Sequence, residues 1–231
     1  MAGLAALSVG CHAAPFPTVI VYETSEAYVR LEANHLLTHH AGYSHPVSIA
    51  PDLMAAVLEG IQVEEPYTRL PVYDDLSIPR RHPAFTESDI DRFAPLLSLA
   101  LRQATPEEVV TFYQSTHLSG SSREVTSGGL FVEGDELHLL LSNLRSGTHP
   151  VADIGVAPSE DDRLRPLESL APQRGALVFL PASAARNPAP SGLKRITHWD
   201  RREVIVRFHA LTPRSQANTP ADMSGPGRPP R

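Results

Sequence analysis

The chain holds a single cysteine, Cys11, in 231 residues. No disulfide can close within it, so the fold must rest on its apolar core even in an oxidising compartment. Past the N-terminus, no apolar stretch approaches the roughly 18 residues needed to span a bilayer. There is no basic surplus either: 20 Lys and Arg against 26 Asp and Glu give a formal charge of -6. A protein that tracks phosphates normally carries the opposite balance, so nucleic acid is not an expected partner. No HExxH motif and no internal repeat occurs. Lysine is almost absent, Lys194 being the only one, and that bias carries no chemical reading.

What is present suits one domain. A hydrophobic share of 42% over this length builds a core of ordinary size, while 22 prolines shorten the regular elements and lengthen the loops between them. Charge is unevenly spread. Met1 to Gln173 carries 10 Lys and Arg against 23 Asp and Glu, whereas Arg174 to Arg231 carries 10 against 3. Two readings stay open for this basic C-terminal quarter: a basic strand attracted to an acidic body within one fold, or a patch facing anionic lipid headgroups or envelope polymer.

Residues Met1 to Gly10 (MAGLAALSVG) are uncharged, rich in Ala and Leu, and run straight into Cys11. A secretory signal combines a basic n-region, an apolar stretch and small residues at the cleavage point. The n-region is missing, which leads to the expectation that the natural start lies upstream of Met1 or that the segment has been trimmed. Leu7-Ser8-Val9-Gly10-Cys11 resembles the lipobox of bacterial lipoprotein precursors, whose cysteine is acylated and becomes the mature N-terminus. Gly10 fits that pattern; Leu7 stands one place too far upstream, with Ser8 where Leu is usual. The resemblance covers about eleven residues and implies lipid attachment at Cys11, a membrane partner through that lipid, and a place on the periplasmic side of the cell envelope. His12 after the cysteine, in place of Asp, leans by the same resemblance toward the outer membrane. The alternatives are a buried core cysteine or an ordinary signal cut near Ala13 or Ala14.

Periodicity supplies the fold class. Thr18 to Tyr22 and Ala27 to Glu32 read as paired strands around Glu23 to Glu26, and Val47 to Ile49 as a short strand. Ala50-Pro51-Asp52 opens a helix that Gly60 ends. Ile61 to Val63 is strand-like, and the proline-rich stretch from Glu64 to Pro83 reads as a surface loop. Thr86 with Asp89 makes a capping-box start for a second helix, with Ile90, Phe93, Leu97 and Leu101 on one face. Pro95 inside it predicts a kink or a restart. Val109 to Tyr113, Gly129 to Glu133, Glu136 to Asn143, Gly175 to Leu180 and Glu203 to Leu211 follow as strands. Gly134-Asp135 is a hairpin turn, and the run Leu139 to Leu141 suits a strand covered on both faces. The expected architecture is α+β: a mainly antiparallel sheet with two principal helices packed on one face. Residues 1–14 read as signal and tether, 15–211 as the domain, and 212–231 as a disordered tail that contributes nothing to folding.

Candidate chemistry is sparse. His35, His39, His40 and His45 fall within eleven residues, and imidazoles suit zinc or copper. Gly42 and Pro46 interrupt any helix there, and a solvated, pH-responsive loop is the plainer reading. Gly42-Tyr43-Ser44-His45-Pro46 fails as a nucleophile elbow, because Pro46 replaces the second glycine. Ser119 to Ser122 and Thr126 to Gly129 read as a loop and the start of a strand rather than as phosphate cradles. The carboxylate pairs Glu64-Glu65, Asp74-Asp75 and Glu107-Glu108, with the run Glu160-Asp161-Asp162, read as solvated. Trp199, the only tryptophan, lies ahead of Arg201 and Arg202. These three form a possible contact for a sugar or a protein partner, the other reading of Trp199 being a cap on the core.

No cofactor and no catalytic residue is implied. The leading expectation is a non-catalytic cell-envelope lipoprotein that binds another envelope protein or stabilises an assembly. An envelope hydrolase with a site gathered from distant residues is the alternative, and a metal-binding module on the histidine loop is the third.

Overall fold

A computed structural model describes residues 18–33, 42–65, 80–118, 123–148, 162–171, 173, 175–186 and 202–214. Among these, the strands β1 (Val19–Glu23), β2 (Ala27–Ala33), β5 (Glu108–His117), β6 (Arg123–Glu133), β7 (Glu136–Thr148), β9 (Ala185–Arg186) and β10 (Glu203–Val206) form a seven-stranded sheet in the order β1-β2-β5-β6-β7-β10-β9. Every pairing in it is antiparallel. A smaller antiparallel sheet joins β3 (Ile61–Glu64), β4 (Arg81–Pro83) and β8 (Ala176–Phe179) in the order β4-β3-β8. The helices α1 (Pro51–Gly60) and α2 (Glu87–Gln103) fall between β2 and β5 in the chain. The fold is α+β.

Each element follows from local chemistry. Thr86 accepts from the Asp89 N–H at 3.2 Å while the Asp89 carboxylate accepts from the Thr86 N–H at 3.0 Å, a complete capping box. Along α2 the steps of three and four turn Ile90, Phe93, Leu97 and Leu101 to one side, and all four are buried. They share a core with Met54, Val57 and Leu58 of α1 and with the alternate residues Leu31, Phe112, Leu130, Val132, Leu139 and Val206 of the large sheet. Helix α2 thus packs against β1, β2 and β5 of that sheet, whose period of two aims every second side chain at it, and α1 packs against α2 and β3.

Glycine matters at one crossing of strands. A Cβ on Gly128 would stand 2.0 Å from the Leu140 carbonyl oxygen, so β6 and β7 approach this closely only because residue 128 lacks a side chain.

Four local expectations change. Val47 to Ile49 is not a strand; the Val47 N–H donates to the Leu101 carbonyl at 3.0 Å, so this stretch finishes the C-terminal end of α2. Helix α2 runs through Pro95 without a break, because Pro95 and Asp91 both face solvent, where water can satisfy the Asp91 carbonyl that the proline cannot. Arg81 to Pro83, within the expected loop, pairs with β3. The last strand stops at Val206 and a single 3-10 turn, Phe208–Ala210, follows, placing Phe208 in the core. Leu139 and Leu141 are fully buried, while Leu140 between them points to the other face and is half-buried.

Candidate functional site

The second face of the large sheet is polar in sequence: Tyr28, Arg30 and Glu32 on β2, Thr111, Tyr113 and Ser115 on β5, Arg123 and Ser127 on β6. Register brings Tyr28 opposite Tyr113, and their rings stack at 5.3 Å and 9°. The Arg30 guanidinium lies 3.9 Å above the Tyr28 ring. Such a face would normally meet water. Here residues 162–171 cross it as a strap, and both tyrosines are fully buried.

Polar bonds fasten the strap at successive points. The Tyr28 hydroxyl donates to the Arg163 carbonyl at 2.5 Å, and the Tyr113 hydroxyl donates to Asp162 Oδ2 at 3.0 Å. Arg123 Nη2 donates to Asp162 Oδ1 at 2.6 Å. Arg163 turns outward to the β1–β2 turn, where it bonds the Thr24 and Ser25 carbonyls and pairs with Glu23. Further along, Ser127 Oγ donates to the Pro166 carbonyl at 2.7 Å. Asn143 Nδ2 donates to the Glu168 carbonyl, and Asn143 Oδ1 accepts from the Leu170 N–H at 2.8 Å. A Cβ on Gly129 would meet Leu167 Cδ2 at 2.8 Å, so the bare glycine lets the strap lie close on β6. With its backbone thus engaged, the strap leaves Leu164, Leu167 and Leu170 69%, 39% and 40% exposed, Leu167 resting its Cδ2 toward Gly129 of β6.

Burial sets the electrostatics beneath. Desolvation, reinforced by the neighbouring Asp162 charge, pushes the Tyr113 hydroxyl up to about 12, so it stays a donor across the physiological range. Burial likewise raises Tyr28 and holds the Glu32 carboxyl above its ordinary range, against the hydrogen bond it accepts from Thr111. At the rim, Arg30 beside Glu23 keeps that carboxyl below its ordinary value.

Cys11, His35, His39, His40, Trp199 and Arg201 lie outside the described residues. His45 is 5% exposed, and its Nε2 accepts from the Val132 N–H at 3.1 Å, so the lone pair that a metal would need is already used within the fold. Ser44 Oγ accepts from the Gly134 N–H at 2.8 Å and thereby ties this segment to the β6–β7 turn. Arg202 Nε donates to the Leu141 carbonyl at 2.7 Å; its Nη2 is buried without a hydrogen-bond partner among the described residues, and burial lowers the guanidinium to about 10. Among the described residues no group of three or more His, Cys, Asp or Glu could hold a metal ion.

One reading of the carboxylates is corrected. Asp162, taken with Glu160 and Asp161 as solvated, is buried, because two donors on the polar face claim both its oxygens. The tail boundary also shifts: Arg214 pairs with Glu87 and, at 3.2 Å, with Asp91, so a cut at Thr212 removes a contact with α2.

Burial pushes the His45 imidazole below its ordinary range, only partly offset by the nearby backbone of Thr105 and Glu108. Between the folded value and about 6.5 the unfolded chain binds the proton and the folded one does not, so stability is complete above about 6.5 and falls as pH drops. The slope is bounded at about 1.4 kcal/mol per pH unit. Denaturant melts of His45→Gln, which keeps an acceptor for Val132 but does not titrate, should show a flatter dependence between pH 7 and 5 than the unaltered chain. Parallel profiles would mean that His45 is not the group responsible.

No family model matches the chain, and comparison with curated proteins and with solved structures finds no match.

Proposed function

We propose that this chain is a non-catalytic cell-envelope lipoprotein, anchored through Cys11, that binds another envelope protein through the leucines of the strap. The observation that carries the binding role is the row Leu164, Leu167 and Leu170: three exposed leucines at every third residue on a backbone fixed to the sheet. Isolated surface leucines need no explanation, but a row on a pre-ordered segment offers apolar area at little further loss of chain entropy, which is what a docking face requires. The envelope assignment rests on the lipobox resemblance at Cys11. Among the described residues no helix is long and apolar enough to cross a membrane.

The binding role is tested by a photo-crosslinking residue placed at position 167 in intact bacterial cells, with Gln103, exposed at the end of α2, as the comparison site. A discrete adduct from 167 and not from 103, lost when Leu164 and Leu170 are both changed to Ser, is the expected result. The absence of any adduct specific to 167 would overturn it. The anchor has its own test: the mature N-terminal peptide should carry the mass of an acylated Cys11. An unmodified Cys11, or a chain beginning at Ala14 or Pro15, would remove the lipoprotein reading.

A further inference from the structure

The strap is held mainly by hydrogen bonds. Its leucines belong to neither buried apolar cluster, and the two rings beneath it, Tyr28 and Tyr113, form a small cluster with Val125, apart from the main core. A segment with no side chain in the core lies at the low end of local stability and opens without unfolding the rest.

The face beneath is arranged to hold a main chain. The Tyr28 hydroxyl, Ser127 Oγ and Asn143 Nδ2 donate to the carbonyls of Arg163, Pro166 and Glu168, while Asn143 Oδ1 accepts from the Leu170 N–H. Three carbonyls and one N–H are thus read along nine residues. Bonds within the sheet already position these groups: Asn143 Nδ2 also donates to Ser127 Oγ at 2.9 Å, and the Tyr28 and Tyr113 rings stack on each other. Such preorganisation lowers the entropy lost when a chain binds.

Two strap side chains are read as well. Arg123 Nη2 and the Tyr113 hydroxyl each take one oxygen of the buried Asp162 carboxylate, and Glu23 at the rim pairs with Arg163. The face therefore selects an extended chain with an acidic residue followed by a basic one. We propose that it is a peptide-recognition site whose resident occupant is the strap, and that a segment of this chemistry from a partner protein replaces it. The site is distinct from the leucine row, and it stands whether or not those leucines bind. Where they do, replacing the strap withdraws them, so the two contacts exclude each other.

A resident strap competes at an effective concentration on the order of millimolar, so the test weakens it first. A fluorescent peptide spanning Glu160 to Ala171 is titrated by anisotropy against the full chain carrying Asp162→Ala. It should bind at least about tenfold more tightly there than to the unaltered chain. The same peptide with Asp162→Ala should bind the variant chain at least about tenfold more weakly, the worth of one charged contact. A second measurement needs no variant: excess peptide should speed exchange of the Leu170 N–H in the isotopically labelled, unaltered chain while the α2 N–H groups keep their protection. This measurement alone decides if the Asp162→Ala chain does not fold. No binding to a folded variant chain, equal binding of the two peptides, or an unchanged Leu170 rate under excess peptide would overturn the proposal. Leu170 exchange that depends on protein concentration without peptide would make a second copy the occupant and overturn the assignment to a separate partner. Photo-crosslinking at position 167 reads the leucine row independently, so the failure of either reading is distinguishable from that of the other.

Discussion

Replacing Asp162 by alanine is expected to release the strap and to lower stability by about 2 to 4 kcal/mol, read as a fall in the denaturation midpoint. The change deletes the acceptor of the buried Tyr113 hydroxyl and the partner of Arg123 at 2.6 Å. Arg123 is one-third exposed, which holds the figure below that of a fully buried pair. Asp162→Asn keeps one acceptor oxygen and should cost less. Hydrogen exchange separates local from global effects: the Leu170 N–H, bonded to Asn143, should lose protection in Asp162→Ala while the N–H groups of α2 keep theirs. An unchanged midpoint together with an unchanged Leu170 exchange rate would mean that the strap is held without this pair. Tyr113 adds a pH signature. Its hydroxyl ionises near 10 in the unfolded chain and near 12 in the folded one, so the stability it lends is complete below about 10 and is lost as pH climbs toward 12.

Phe93→Ala is expected to cost about 3 to 5 kcal/mol, the range for deleting a large core ring. Phe93 is 1% exposed, and its ring meets that of Phe112 at 5.5 Å and 57°, an edge-to-face contact that joins α2 to the centre of the large sheet. Its loss leaves a cavity bounded by two layers that cannot both move in. Equilibrium denaturation gives the value directly, and a cost near zero would place that face of α2 in solvent. Phe93→Leu, which refills most of the space, should recover more than half of the loss.

The candidate site was legible only in part. The leucines at 164, 167 and 170 carry no helix or strand pattern in the sequence, with Pro166 among them and an acidic run before them. Asp162 could not be distinguished from Glu160 and Asp161, since its burial depends on Tyr113 and Arg123, 49 and 39 residues away. The histidine cluster read as a solvated loop, with metal binding as the sharper alternative, yet His45, the member that is described, is buried and serves as a backbone acceptor in the core. The backbone at Arg145, with φ 45°, gave no signal at all, because left-handed φ in a non-glycine residue has no compositional mark.

By itself the sequence determined those elements whose stabilising partners lie within one or two turns or one hairpin. The α2 capping box, its apolar face and the Gly134-Asp135 turn are of this kind, and so is the α+β class that they imply. Alternation along Ala27 to Glu32 marked one face of β2 as apolar and therefore as covered. It was silent about the other, because a polar face is compatible with water or with any segment that can match its donors and acceptors. Only the tertiary structure chose the strap over water, extended β5, β6 and β7 beyond their apolar runs by pairing, turned Val47 to Ile49 from a strand into a segment that caps the end of α2, and placed Arg145 at positive φ. For the strap and for Val47 the deciding hydrogen bonds join residues far apart in the chain, and such bonds are specified by the assembled fold and not by any local pattern.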